Sequence, residues 1–176
     1  MVFCSRTSWG CWLISNCSAT NNTDGFNLSY GAVVSNCAAY SNNKDGFIAV
    51  SGCTILNCTA RYNAAHGISC QSGCTIVGNT CTNNGNVTTD GAGIYVISYD
   101  NRIEGNNCSF ADYGIRVASA GNIIIKNTCS TNTINWDIIA GNAYGPIVVT
   151  PYGAAVSGSA AASALGSTDP NANFTY

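Results

Sequence analysis

Residues 16–35 read NCSATNNTDGFNLSYGAVVS, residues 36–56 read NCAAYSNNKDGFIAVSGCTIL, and residues 57–78 read NCTARYNAAHGISCQSGCTIVG. The three stretches lie almost on top of one another. The Asn-Cys start recurs as Asn79-Thr80-Cys81, Asn106-Asn107-Cys108 and Asn127-Thr128-Cys129. A glycine-led apolar pair marks the same later point in five copies: Gly25-Phe26, Gly46-Phe47, Gly67-Ile68, Gly93-Ile94 and Gly114-Ile115. The step is 21 residues except across the fourth copy, which is lengthened around Gly85-Asn86-Val87-Thr88-Thr89. A period of this size belongs to a solenoid, whose units bury their apolar faces only by stacking.

The beat inside each unit is that of strands. Phe26 and Leu28 face one way with Asn27 opposite, and Ile115 and Val117 do the same around Arg116. No apolar set recurs at the helical period. Each unit holds three short apolar segments, exemplified by Cys37-Ala38-Ala39, Phe26-Asn27-Leu28 and Cys53-Thr54-Ile55. Three strands per coil close a triangle, and neighbouring coils pair in parallel. The expected fold is therefore all-β: a single-stranded right-handed parallel β-helix solenoid of about six rungs of three short strands. Residues 13–149 form the solenoid in this reading, residues 1–12 a partial N-terminal rung, and residues 150–176 an Ala/Gly/Ser-rich tail or cap. Solenoid ends expose strand edges and core, so an upstream domain or a second copy of the chain is expected over the first rung.

Composition narrows the function. Of 176 residues only 8% are charged and the net charge is −2, which argues against nucleic acid as a partner. No run is long enough to insert in a membrane. The eleven cysteines have no CxxC pair, which argues against structural zinc. Their placement instead predicts two columns of buried free thiols: Cys17, Cys37, Cys58, Cys81, Cys108 and Cys129 in one, and Cys11, Cys53 and Cys74, with Ala32 in the vacant place, in the other. Asn16, Asn36, Asn57, Asn79, Asn106 and Asn127 are expected to stack as an asparagine ladder in a turn.

The patterns Asn-Cys-x-Ala-x-x-Asn, Asp-Gly-Phe and Gly-Asn-x-Cys resemble the parallel β-helix repeats of the pectin-lyase-like superfamily. They are most similar to rungs of phage tail-spike-like and secreted bacterial right-handed β-helix proteins. The resemblance implies an extracellular or particle-surface location and a polysaccharide partner. It leaves several activities open, because lyases, hydrolases, epimerases and non-enzymatic surface proteins share the fold.

Two residue sets are candidates for chemistry. Asp24, Asp45 and His66 hold identical positions before Gly25, Gly46 and Gly67, so their side chains line one edge about 5 Å apart. Paired carboxylates at that spacing suit a retaining glycosidase or a calcium ion, the only cofactor the sequence suggests. The same residues also suit tight turns, since Asp tolerates turn geometry and bonds nearby backbone. Tyr40, Tyr62, Tyr95, Tyr99 and Tyr113 offer flat rings for sugars, with Lys44 and Arg61 placed to meet a sugar carboxylate. Arg102, Arg116 and Lys126 have no acidic cluster beside them in repeat register, as a lyase of that superfamily would need. The leading expectation is a structural surface or particle-associated module that binds polysaccharide. The alternatives are a polysaccharide-degrading glycoside hydrolase or lyase, and a self-assembling or adhesive solenoid.

Overall fold

Three short strands per coil give three parallel sheets. The computed structural model describes residues 4–6, 12–86, 90–149 and 169–176. The first sheet stacks Trp12–Ser15, Val33–Ser35, Thr54–Leu56, Thr75–Val77, Arg102–Glu104, Ile123–Ile125 and Ala143–Tyr144. The second stacks Ser18–Thr20, Ala38–Tyr40, Thr59–Arg61, Thr80–Thr82, Asn107–Ser109 and Thr128–Ser130. The third stacks Phe26–Leu28, Phe47–Ser51, Ile68–Ser72, Ala92–Val96, Tyr113–Val117 and Ile134–Ile138. Like residues share columns: Ile55, Ile76, Ile103 and Ile124 follow one another inside the first sheet and are sealed from solvent. Phe26 stacks on Phe47 with ring centroids 4.9 Å apart.

The ends depart from this pattern. Cys4–Arg6 pairs antiparallel with Trp12–Ser15 at the edge of the first sheet. At the other end, Asn173–Thr175 slides between Thr128–Ser130 and Ile147–Val149 in the second sheet. The stretch 150–168, expected as tail, lies outside the described residues, as does Cys11.

The glycines Gly25, Gly46, Gly67, Gly93 and Gly114 are required by space. A Cβ on Gly46 would stand 2.6 Å from the carbonyl oxygen of Gly67 and 2.8 Å from the Asn63 amide. None of these five has positive φ. Close stacking of turns decides the residue, not left-handed backbone.

The polar ladders run differently from expectation. Asn79, Asn106 and Asn127 do stack, each Nδ2 donating to the next Oδ1 at 3.0, 3.0 and 3.3 Å, with Asn173 as the last member. Asn16, Asn36 and Asn57 are not in that column. They have φ of 54, 52 and 51°, and share their place with Gly78, Gly105 and Lys126, also left-handed. Cys17, Cys37 and Cys58 consequently occupy the ladder position itself: the amide of Cys17 donates to Cys37 Sγ, that of Cys37 to Cys58 Sγ, and that of Cys58 to Asn79 Oδ1. Cys81, Cys108 and Cys129 sit two residues further on, in register with Ala39 and Ala60. The single cysteine column of the sequence reading is thus two.

The column of Ala32, Cys53 and Cys74 holds, and it too turns into amides. Cys74 donates its backbone N–H to Asn101 Oδ1, after which Asn101, Asn122 and Asn142 continue the stack. A third ladder, Asn42, Asn63 and Asn84, lines the corner between the second and third sheets. The nine cysteines from Cys17 to Cys129 are free and buried. Burial pushes Cys70 up to about 12 and Cys58 up to about 11, so these thiols stay protonated at neutral pH.

Candidate functional site

The third sheet carries the densest set of reactive side chains on its outward face. Two outward columns run along it. One, just before the glycines, is Asp24, Asp45, His66, Ala92, Tyr113 and Ile134. The other is Asn27, Ile48, Ser69, Tyr95, Arg116 and Asp137. Alternation turns the second column outward, since its neighbours Ile94, Val96, Ile115 and Val117 fill the core; the first stands three residues earlier, ahead of the close-packed glycine, and its Ala92 is buried.

The predicted trio Asp24, Asp45 and His66 does occupy consecutive rungs, and each member accepts a hydrogen bond from the next rung's backbone. Asp45 N donates to Asp24 Oδ1 at 3.4 Å, His66 N to Asp45 Oδ1 at 2.9 Å, and Ala92 N to His66 Nδ1 at 3.0 Å. Ser69 Oγ donates to the other oxygen of Asp45 at 2.9 Å. With Nδ1 accepting, the ring proton of neutral His66 resides on Nε2, so the imidazole is fixed as a donor there. Burial holds the His66 pKa below its ordinary value; Asp45 opposes this shift and Arg116 reinforces it.

Beyond His66 the face becomes aromatic and cationic. The His66 and Tyr95 rings lie 4.8 Å apart, centroid to centroid. The Arg116 guanidinium sits 5.6 Å from the Tyr95 ring centre and 4.5 Å from that of Tyr113. Its Nε is 3.2 Å from Asp137 and its Nη1 is 3.9 Å from Asp90. Arg116 therefore has two acidic neighbours, one of them in direct register. Arg102 and Lys126 likewise both pair with Glu104 at 2.7 Å, which lowers the Glu104 pKa. Asp137 escaped notice because Asn135 stands where the other rungs carry glycine, removing the landmark that sets the register.

The remaining sugar-contact candidates do not converge on this face. Tyr40 and Tyr62 meet edge-on at 5.7 Å, with Arg61 over the Tyr62 ring and bonded to its hydroxyl, at the end of the second sheet. Tyr40 is in register with Arg61, one residue off Tyr62. Lys44 is exposed in the corner that follows, and Tyr99 lies in the corner after the third sheet. Only Tyr95 and Tyr113 join His66. Among the described residues, no group of three or more His, Cys, Asp or Glu side chains is placed to hold a metal ion. No helix among them is long and apolar enough to cross a membrane.

Parallel stacking in all three sheets, inward ladders at the corners and an outward reactive face decide the architecture. The chain is a right-handed parallel β-helix. Its fold is consistent with the pectin-lyase-like superfamily that its repeats resemble. A family model described as the right handed beta helix region matches residues 3–89 of the solenoid. Among solved structures, the solenoid is similar to the A-module of the Azotobacter vinelandii mannuronan C-5 epimerase AlgE6, with a TM-score of 0.61 and 23% identity. That alignment covers 78% of this chain and 38% of the other, so the solenoid spans well under half the length of that relative. No curated protein matches.

Proposed function

We propose that this β-helix processes an acidic polysaccharide at the outward face of its third sheet, in an extracellular or surface-associated setting. The observation that carries the reading is the continuous stack of His66, Tyr95, Arg116 and Tyr113 across three neighbouring rungs. A guanidinium presents a planar fork of donors suited to a uronate carboxylate, and pairing there withdraws charge from the adjacent C–H bond. Tyr95, between His66 and Arg116, is assigned the proton transfer at that carbon, taking the proton as phenolate and holding it as phenol. His66 supplies a fixed Nε2–H donor, and Asp45 holds His66 and Ser69 in place. Abstraction of that proton opens elimination or epimerisation, the second being the activity named for the AlgE6 relative.

Turnover of polymannuronate in deuterated water tests this. Incorporation of deuterium next to the carboxylate, or unsaturated chain ends, is expected, and each of Arg116→Ala and Tyr95→Phe should lower it by about a hundredfold or more. A second reading is a glycan-binding module without turnover. It is favoured by the engagement of Asp24, Asp45 and His66 with the backbone of the next rung. Binding of the polymer with no solvent exchange would select it.

A further inference from the structure

The fourth and fifth rungs break the repeat in four ways at one place. Gly85 and Gly91 form a neck, approaching so closely that a Cβ on either would fall within 2.8 Å of the other's backbone. Asp112 Oδ2 clamps this neck by accepting the Gly91 N–H at 2.9 Å, while Gly85 N donates to Asn63 O. The corner ladder is interrupted here as well. Asn42, Asn63 and Asn84 present amides, Ala111 a methyl group, and Asn132 an amide again, donating order resuming with Ala111 N to Asn132 Oδ1.

Phe110 is the third departure. It holds φ of 54° in a column with Asn21, Ser41, Tyr62, Asn83 and Thr131, yet its ring is 56% exposed. A bulky residue in left-handed backbone is strained, and here the ring gains no core burial in return. The fourth departure is the outcome: a cleft of about 400 Å³ lined by Asn84, Gly85, Asn86, Phe110, Ala111 and Asp112.

We propose that this cleft is a binding site for an uncharged hexopyranose unit, separate from the Arg116 face. Phe110 offers a flat apolar ring for the C–H face of a sugar, and the Asn86 and Asp112 side chains bring amide and carboxylate groups for its hydroxyls, while the buried Asn84 amide stays committed to its ladder. The sign of the charge selects the ligand. Among the described residues lining the cleft Asp112 alone is charged, so a uronate there would meet a carboxylate. The site stands whether or not the Arg116 face catalyses a reaction.

Calorimetric titration of the full chain with cellohexaose and with hexamannuronate tests the proposal. Phe110→Asn suits this position because Asn83 already occupies the same left-handed column, so the backbone is relieved while the ring is lost. It should weaken cellohexaose roughly fivefold, the order expected for one stacked ring. Asp112→Asn keeps an oxygen for the Gly91 amide and removes the charge. It should retain cellohexaose binding and create Phe110-dependent binding of hexamannuronate. Arg116→Ala should leave cellohexaose unaffected. Absence of cellohexaose binding, binding indifferent to Phe110→Asn, or Phe110-dependent hexamannuronate binding in the unaltered chain would each overturn the assignment.

Discussion

The two halves of the rod solve the same problem with different chemistry. From Asn79 onward the corner between the first and second sheets is closed by amides: Asn106 Oδ1 accepts from both N and Nδ2 of Asn79, and Asn106 Nδ2 reaches Ile76 O and Asn127 Oδ1. Before Asn79 the same slots hold thiols. Cys58 Sγ accepts from Cys37 N at 3.4 Å and donates to Leu56 O at 3.3 Å. The corner between the third and first sheets repeats the division, with Cys53 and Cys74 before Asn101, Asn122 and Asn142. A ladder position therefore asks for one acceptor and one donor on a short side chain. An amide meets that demand with two strong donors and a two-lone-pair acceptor, whereas a thiol does so weakly but packs as an apolar group.

The comparison breaks most visibly at Asn106. Asn106→Ala strands the Asn79 backbone and side-chain donors and the Ile76 carbonyl in a sealed interior. A loss of about 3 kcal/mol is expected in urea unfolding, since each buried unmatched group costs about 1–3 kcal/mol. Asn106→Cys should recover part of it. Cys58→Ala, in the thiol half, should cost about 1 kcal/mol, because Ala32 and Ala111 show that a methyl group is tolerated at ladder positions. Equal losses for Asn106→Ala and Cys58→Ala would remove the distinction between the halves.

The same comparison can be sharpened by extending the amides. Cys58→Asn places an acceptor for Cys37 N, and a donor toward Asn79 Oδ1 and Val34 O, where the thiol now reaches Val34 O at 3.8 Å. A gain of about 1 kcal/mol in unfolding free energy is expected. A loss would show that thiols are kept because the first rungs cannot accommodate the larger amide.

The repeat length and the strand count were legible because inward apolar residues cannot change without opening the core. The register of the turns was not, for a physical reason. The left-handed turn position accepts Asn or Gly, and even Lys126, while the ladder position accepts Asn or Cys. Asn57-Cys58-Thr59-Ala60 and Gly78-Asn79-Thr80-Cys81 are thus the same four places filled with overlapping residues. Matching Asn to Asn and Cys to Cys slides one against the other. The outward columns suffered less: Asp24, Asp45 and His66 were aligned correctly, as the glycine after each tolerates no replacement. Asp137, lacking that glycine, and Asp90, in the lengthened rung, had no landmark.

A smaller effect, on the outward face of the thiol half, separates a ring that accepts from one that titrates. His66 Nδ1 takes the Ala92 N–H, and protonating Nδ1 removes that bond. Burial, the leading cause, keeps the folded pKa below the ordinary 6.5, against the pull of Asp45 and with the help of Arg116. Between the folded pKa and 6.5 the unfolded chain binds more protons than the folded one, so stability rises with pH through that window. The contribution is complete above about pH 6.5 and is lost as the pH falls toward the folded value. His66→Asn keeps an oxygen acceptor, as Asp45 does one rung earlier, and removes the titration. Unfolding midpoints measured from pH 7.5 to pH 5 should fall less in His66→Asn than in the unaltered chain. Parallel decline in both would place the acid sensitivity elsewhere and free the His66 ring from the ladder role that fixes its Nε2 proton.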